Sequence, residues 1–432
     1  MIWDPQNECM DPEQRRELQL HRLRATVARL AANVPYYRNK FAENDVDPLG
    51  IESLDDLQYL PFTTKDDLRE TYPTGMFAVP VSELVRVHAS SGTTGTPVVA
   101  GYTRSDIDIW AEMMARTICL GGGDNSDILQ VAYGYGLFTG GLGLHYGGEK
   151  VGCTVIPMSA GNTARQIMMM RDLGTTMVAC TPSYALTLAD ELIDEGIDAG
   201  ELNLKSGLFG AEVWSQASRK AIEEMLQLKA YDIYGLTEVI GPGVSADCEY
   251  GCGMHICDDH FIPEIIDPET EAVLPEGEEG EIVFTCITKQ AFPVIRFRSR
   301  DITRLHYGKC ECGRTSARME RVSGRDDDML IIRGVNVFPG QIENVLVNID
   351  ETLPHYQLVV TKEGRLDVLE VQVEVSQEIF ADTIRALEAV EQKIQGALAS
   401  ALGITCRVKL IEPKSIERSI GKAKRVIDLR EE

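Results

Sequence analysis

Four short apolar runs, ILQVAY at 128–133, CTVI at 153–156, TMVAC at 176–180 and SGLF at 206–209, decide the fold. Each is too short for a helix and reads as a buried strand. Amphipathic segments near 105–118, 162–173, 183–195 and 215–227 separate them and read as helices. Strand–helix alternation of this kind builds a parallel sheet with helices on both faces. The fold class is therefore α/β.

The pattern changes on either side of this block. Upstream, Asp11-Pro12 reads as a helix cap and first turn, and Leu20, Leu23, Val27 and Leu30 recur at helical spacing. After about residue 255, segments 260–266, 280–287 and 293–305 are strand-like and predict a β-rich subdomain over about 255–326. The Glu-rich 275–281 reads as a solvated loop. From 328 the chain starts again. It offers a strand (MLIIRG), a helix (340–349), strands 356–361 and 367–375, a helix (378–401) and a strand (405–411). The boundary falls in 324–328, giving domains 1–326 and 327–432.

The composition narrows the function. With 42 basic against 67 acidic residues in 432, the formal charge is −25, which disfavours nucleic acid and anionic membranes as partners. Apolar residues make up 44%, yet none of their runs has the length of a membrane span. The N-terminus, MIWDPQNECM, does not read as a signal peptide. Eleven cysteines, an odd number, point to reduced thiols and a cytoplasmic setting.

Four motifs carry chemistry. In Ser90-Ser91-Gly92-Thr93-Thr94-Gly95-Thr96-Pro97 the glycines allow successive N–H groups to face one concavity and cradle a phosphate. A flexible Ser/Thr/Gly turn fits the same string, and the Gly-Lys-Ser/Thr ending of a Walker loop is missing. In Tyr234-Gly235-Leu236-Thr237-Glu238, Thr237 suits a phosphate or carboxylate oxygen and Glu238 is a hard ligand suited to Mg²⁺. A strand end with a turn is the plainer reading. Arg296-Phe297-Arg298-Ser299-Arg300-Asp301 is either a surface ion-pair ladder or a strand end whose Asp301 accepts two ribose hydroxyls. Gly421-Lys422 is by itself an exposed lysine.

In this order the motifs resemble the adenylate-forming acyl-CoA synthetases, and within them the phenylacetate–CoA ligase family. The likeness extends through 135–143 (YGLFTGGLG), 161–163 (GNT), 210–212 (GAE), 258–261 (DDHF) and 328–339 (DMLIIRGVNVFP). It implies that the 90–97 loop grips the β- and γ-phosphates of ATP, and that Gly210, Ala211 and Glu212 form the adenine-side strand. Tyr234 would pack on adenine beside Gly235, Thr237 would contact the α-phosphate, Glu238 would hold Mg²⁺ and Asp301 the ribose. Arg325 and Asp327 match the hinge region. Lys422 matches the catalytic lysine of a small, mobile C-terminal lid domain. Thr96 stands where many relatives carry Lys.

The implied reaction has two halves: a carboxylate attacks the α-phosphorus of ATP, then the thiol of coenzyme A attacks the acyl-adenylate. The lid is expected to turn about Asp327 between halves, bringing the 333–338 loop, with Gly334 passing the pantetheine arm. Arylacetic acids fit the family; benzoate-type and indoleacetic acids, or a carrier-protein pantetheine in place of free CoA, stay open. So does a silent adenylate-binding scaffold. A homodimer is expected from the family alone.

Tyr133, Tyr135, Gly136 and Phe138, with Gly134, Gly140, Gly141 and Gly143, read either as a flat apolar slot for an aryl acid or as core packing. Cysteines also cluster at 248, 252, 257, 310 and 312, near His255 and His260. Cys248, His255, Cys310 and Cys312 are the favoured ligands of a structural Zn²⁺, with Cys252 competing for one place and free thiols as the alternative.

Overall fold

The computed structural model describes residues 1–90, 96–325, 330–333, 335–363, 366–380, 383–418 and 424–430. The fold is mixed α/β. The four apolar runs are strands Ile128–Val131, Thr154–Ile156, Met177–Cys180 and Ser206–Gly210. Together with Lys229–Leu236 they pair in parallel. Met177, Val178, Ala179 and Cys180 are all wholly buried, which is why the run is apolar without alternation. The sheet then continues antiparallel through Gly241–Ala246, Met254–Ile256, Arg318–Met319 and Leu305–His306, making nine strands.

Helices Arg104–Leu120, Thr163–Leu173, Pro182–Glu195 and Gln216–Leu226 lie where the amphipathic segments place them. Arg104–Leu120 begins with a reciprocal cap. Thr103 Oγ1 accepts from Asp106 N–H at 3.1 Å, and Asp106 accepts from Thr103 N–H at 2.8 Å. The same carboxylate accepts from the N–H groups of Gln290 and Ala291, at 2.6 and 3.0 Å. One side chain thus starts a helix and ties it to a distant loop.

A second, antiparallel sheet holds Phe261–Ile266, Gly280–Cys286, Phe297–Thr303 and Gly324–Arg325. Two expectations need correction here. The run 293–296 is not strand: Pro293 has no N–H to give, and Arg296 sits at φ 44. Ile295 instead donates its N–H to Tyr37 Oη at 3.2 Å. Nor is the whole of 275–281 a solvated loop. Glu281 is fully buried and pairs with Arg298 at 2.7 Å, while Arg296 pairs with Glu264 at 3.0 Å. The arginine ladder exists, but in the interior rather than at the surface.

Beyond residue 329, strands Thr352–Glu363 and Leu366–Val375 form a hairpin flanked in parallel by Arg407–Ile411 and Val426–Asp428. Helices Pro339–Leu346 and Ile384–Leu402 cover it. Residues from Leu330 to Val408 form a buried cluster of their own. The expected helix 378–401 is two helices, Gln377–Phe380 and Ile384–Leu402, and the strand Val426–Asp428 was not foreseen. Among the described residues no helix is long and apolar enough to cross a membrane.

Candidate active site

The parallel strands deliver their carboxyl ends to one edge of the sheet, where open α/β sheets form their binding crevices. Ser206–Gly210 ends at Gly210, Ala211 and Glu212. Ile128–Val131 runs on to Tyr133 and the glycine-rich 134–143. Lys229–Leu236 passes Tyr234 and Gly235 into the turn bearing Thr237 and Glu238.

The floor of this edge is close-packed backbone. A Cβ on Gly210 would lie 2.0 Å from the Ile233 carbonyl oxygen, and one on Gly235 would lie 1.9 Å from that of Gly241. Only glycine allows either approach. Ala211 then turns the chain at φ 73, and Glu212 accepts from the Ser183 N–H at 2.7 Å and from the Ser183 hydroxyl. That places a carboxylate at the N-terminus of Pro182–Glu195, where the helix dipole favours it.

Asp301, on strand Phe297–Thr303 of the second sheet, joins this edge. Its Oδ2 accepts from the Tyr234 hydroxyl at 2.5 Å, and its Oδ1 pairs with Arg325 Nη1 at 2.8 Å. Burial, reinforced by the Asp301 charge, pushes the Tyr234 phenol well above its ordinary range, so it stays a donor. Tyr234, Asp301 and Arg325, far apart in sequence, therefore meet.

Thr237 and Glu238 are both buried. The Thr237 hydroxyl lies 3.4 Å from that of Thr139, which precedes helix Gly140–Val151. Two cations that the sequence reading passed over attend this turn. Lys65 Nζ is 3.8 Å from Glu238 Oε1. Lys289, 1% exposed, donates to the Val239 carbonyl at 3.0 Å and lies over the Tyr102 ring at 4.5 Å. Burial pushes the Lys289 amine down to about 8, against the pull of Cys286, Asp106 and Glu238. Lys289 stands in no motif; the apolar residues at 286–287 and 291–295 on either side of it were the available signal.

Ser90 is described, and its hydroxyl accepts from Val98 N–H at 3.0 Å, closing the base of the 90–97 loop. Ser91, Gly92, Thr93, Thr94, Gly95, Asp327, Gly334 and Lys422 lie outside the described residues.

The proposed aryl slot divides. Tyr133 is core: its hydroxyl donates to the Gly210 carbonyl at 3.2 Å. Gly140, Gly141 and Gly143 leave no room for a ring, since a Cβ there would lie 2.7 Å from Phe138, the Gly134 carbonyl and Trp110 respectively. Gly134 and Gly136 are different, with nothing within 4 Å of an added Cβ. Tyr135 and Phe138 are half-buried, and the Tyr135 hydroxyl lies 3.3 Å from His145 Nδ1. Open space therefore lies at 134–136 rather than along the whole stretch.

Away from this edge, Cys248, His255, Cys310 and Cys312 converge, their ligand atoms all within 4.8 Å of one another. The Cys248 and Cys310 sulfurs are 3.8 Å apart, close to the roughly 3.8 Å between two sulfurs bound tetrahedrally at the zinc–sulfur distance. His255 Nδ1 lies 3.0 Å from Ser316 Oγ, leaving Nε2 facing Cys312 Sγ at 3.4 Å. Burial, aided by Arg314 and Arg318, holds His255 down to about 3, so its imidazole is neutral. The donor set fits zinc. Cys252 is exposed, with its sulfur 3.0 Å from Cys310.

Comparison with known proteins agrees with this architecture. The AMP-binding enzyme family matches residues 37–286, and the AMP-binding enzyme C-terminal domain matches 334–430. The chain is 48% identical to a phenylacetate-coenzyme A ligase of Thermus thermophilus over 100% of both chains. Among solved structures, a 2-hydroxyisobutyryl-CoA ligase in the postadenylation state with 2-HIB-AMP superposes with a TM-score of 0.93. It is 31% identical, over 99% of this chain and 92% of that one. The same ligase with 2-HIB-AMP and CoA in the thioesterification state gives 0.72 at the same identity and coverage. From its parallel-sheet edge to its C-terminal domain, this chain belongs to the phenylacetate–CoA ligase family of AMP-binding enzymes.

Proposed function

We propose that the protein is an AMP-forming aryl-acid CoA ligase whose acid is an arylacetate, phenylacetate foremost. Full-length identity to a phenylacetate-coenzyme A ligase carries this reading. The meeting of Tyr234, Asp301 and Arg325 beside Thr237 and Glu238 supports it.

The chemical problem is the approach of two anions, a carboxylate and a triphosphate, on a protein of charge −25. Charge neutralisation at the reacting phosphorus is therefore the main task. Glu238 is the candidate ligand for Mg²⁺, which supplies charge neutralisation on the phosphates when bound. Thr237 donates to the α-phosphate, and the 90–97 amides receive the terminal phosphates. Lys65 brings in the cation that Thr96 does not provide. Asp301 holds the ribose, with Tyr234 flat on the adenine and Gly210 to Glu212 along its edge. The half-buried Tyr135 and Phe138, beside the open Gly134 and Gly136, take the aryl ring. Lys422 then serves adenylation and Gly334 the pantetheine arm, with Asp327 as the hinge between 1–326 and 327–432.

Cys248, His255, Cys310 and Cys312 hold a structural zinc that staples two loops and stands apart from the reaction. None of the eleven cysteines is paired in a disulfide, in keeping with a reducing cytoplasm. A homodimer remains part of the proposal through family membership.

The test is ATP–pyrophosphate exchange with a panel of aryl acids, followed by thioester release with free CoA. Exchange with arylacetates and release of the CoA thioester is the expected result. Exchange without release to free CoA transfers the reading to a carrier-protein acceptor.

A further inference from the structure

Glu343 lies on helix Pro339–Leu346, in the part of the chain after 329, and is 4% exposed. Its Oε1 reaches across to the first part of the chain. There it accepts from the Ser215 N–H at 3.3 Å and from the Ser218 hydroxyl. Ser215 is the N-cap of helix Gln216–Leu226, so the carboxylate sits on the positive end of that helix. Its Oε2 accepts from the Tyr356 hydroxyl at 3.1 Å. The Arg425 guanidinium stands 4.4 Å over the Tyr356 ring, and the Arg425 carbonyl accepts from Leu358 N–H at 2.7 Å. Arg425 is three residues beyond Lys422.

A second contact flanks this one. His355 Nε2 lies 2.9 Å from Asp190 on Pro182–Glu195, and Arg418 lies 3.5 Å from the same carboxylate. Lys414 pairs with Asp194 on the same helix. The Arg418 and Lys414 cations meet the C-terminal half of that helix, where its dipole is negative. The two parts are thus joined at a helix start through a buried carboxylate, and along a second helix through a buried imidazole, a half-buried Arg418 and an exposed Lys414.

The arrangement that contains these contacts superposes at 0.93 on the relative's postadenylation state and at 0.72 on its thioesterification state. We infer that Glu343 is a positioning residue for the first half-reaction: bound to the start of Gln216–Leu226, it sets Tyr356 and Arg425 and holds the C-terminal part in the arrangement used for adenylation. Glu343 itself touches no reacting atom. Its bonds to Ser215 and Ser218 must break for the C-terminal part to take a thioesterification arrangement, so they favour one half-reaction only.

The inference rests on the ligase reading above, and the assay separates the two. Ser218→Ala removes one donor to Glu343 from the N-terminal side and leaves the core after 329 untouched. Tyr356→Phe keeps the ring under Arg425 and removes only the hydroxyl. Each variant is expected to lower the rate of ATP–pyrophosphate exchange about tenfold, the loss of one hydrogen bond to a charged group. The KM for ATP stays as in wild type. CoA thioester formation from supplied phenylacetyl-adenylate stays within about twofold of wild type, because that step does not use the latch. Equal loss in both half-reactions, or no loss in either, overturns the role of Glu343 while leaving the ligase reading intact. Wild-type protein that exchanges pyrophosphate with no aryl acid overturns that reading and the latch together.

Discussion

Lys65 Nζ lies 3.8 Å from Glu238 Oε1, so the turn proposed to receive magnesium and phosphate has a lysine beside it from a segment far upstream. Thr96 leaves the 90–97 loop without a lysine of its own. Lys65→Ala is expected to reduce kcat/KM for ATP by roughly 10- to 100-fold, the range for one charge-assisted contact, with folding unaffected. Steady-state kinetics at saturating acid, with a thermal melt as control, check this. An unchanged kcat/KM would remove Lys65 from the phosphate site.

Asp301 accepts from Tyr234 and pairs with Arg325, so its two oxygens face different partners. Tyr234→Phe keeps the adenine platform and removes one donor, and pyrophosphate exchange should stay within about tenfold of wild type. Asp301→Ala removes the ribose acceptor and the ion-pair contact to Arg325, and exchange should fall at least about 100-fold. Isothermal titration with ATP gives the same ranking as affinities. If Tyr234→Phe proves the worse variant, the hydroxyl rather than the carboxylate governs nucleotide binding.

The cysteine cluster predicts about one equivalent of zinc per chain in reducing, metal-replete protein. Cys310→Ser and Cys312→Ser should lose the metal and melt several degrees lower. Cys252→Ser should keep the metal, since Cys252 is exposed and outside the converging four. Elemental analysis and melting curves decide it. Less than a tenth of an equivalent in the wild type, or loss of metal in Cys252→Ser alone, contradicts this ligand set.

His260 predicts a stability change with pH. Burial holds its imidazole down to about 4, although Asp259 at 3.2 Å pulls the other way. The unfolded chain takes up that proton near 6.5. Between these values the unfolded state binds more protons, so stability is full above 6.5 and falls as pH drops toward 4. The loss from this group is roughly 1–3 kcal/mol. Urea midpoints measured from pH 7 to 4 should show the decline in wild type and a flatter curve in His260→Gln. Identical slopes would assign the decline to other groups.

What the sequence shows of this fold follows burial. Strands such as Met177–Cys180 are apolar on both faces and announce themselves as runs. Helices such as Arg104–Leu120 announce themselves through amphipathic spacing, while the Thr103–Asp106 cap that starts this one emerges only in the structure. The strand Val426–Asp428 is three residues long and exists only because Leu358–Val360 lies beside it. The same holds for the site. Tyr234, Thr237, Glu238 and Asp301 stand in motifs, but Lys65, Lys289 and Glu343 stand in none. Their partners lie far away in sequence, and no local spacing records a lysine meeting Glu238 or a glutamate meeting Ser218. The glycines at 140, 141 and 143 stayed ambiguous for a related reason. Absence of a side chain reads equally as open space and as tight contact, and only the neighbours distinguish them.

The backbone contacts under Gly210 and Gly235 restrict how this enzyme can be diversified. Any residue with a β-carbon at either position pushes on a carbonyl oxygen rather than on a side chain that can rotate away. Libraries aimed at new acids will return dead clones from those two codons whatever the ligand. Variation at Gly134, where an added methyl meets nothing, offers evolution a freer route to altered preference.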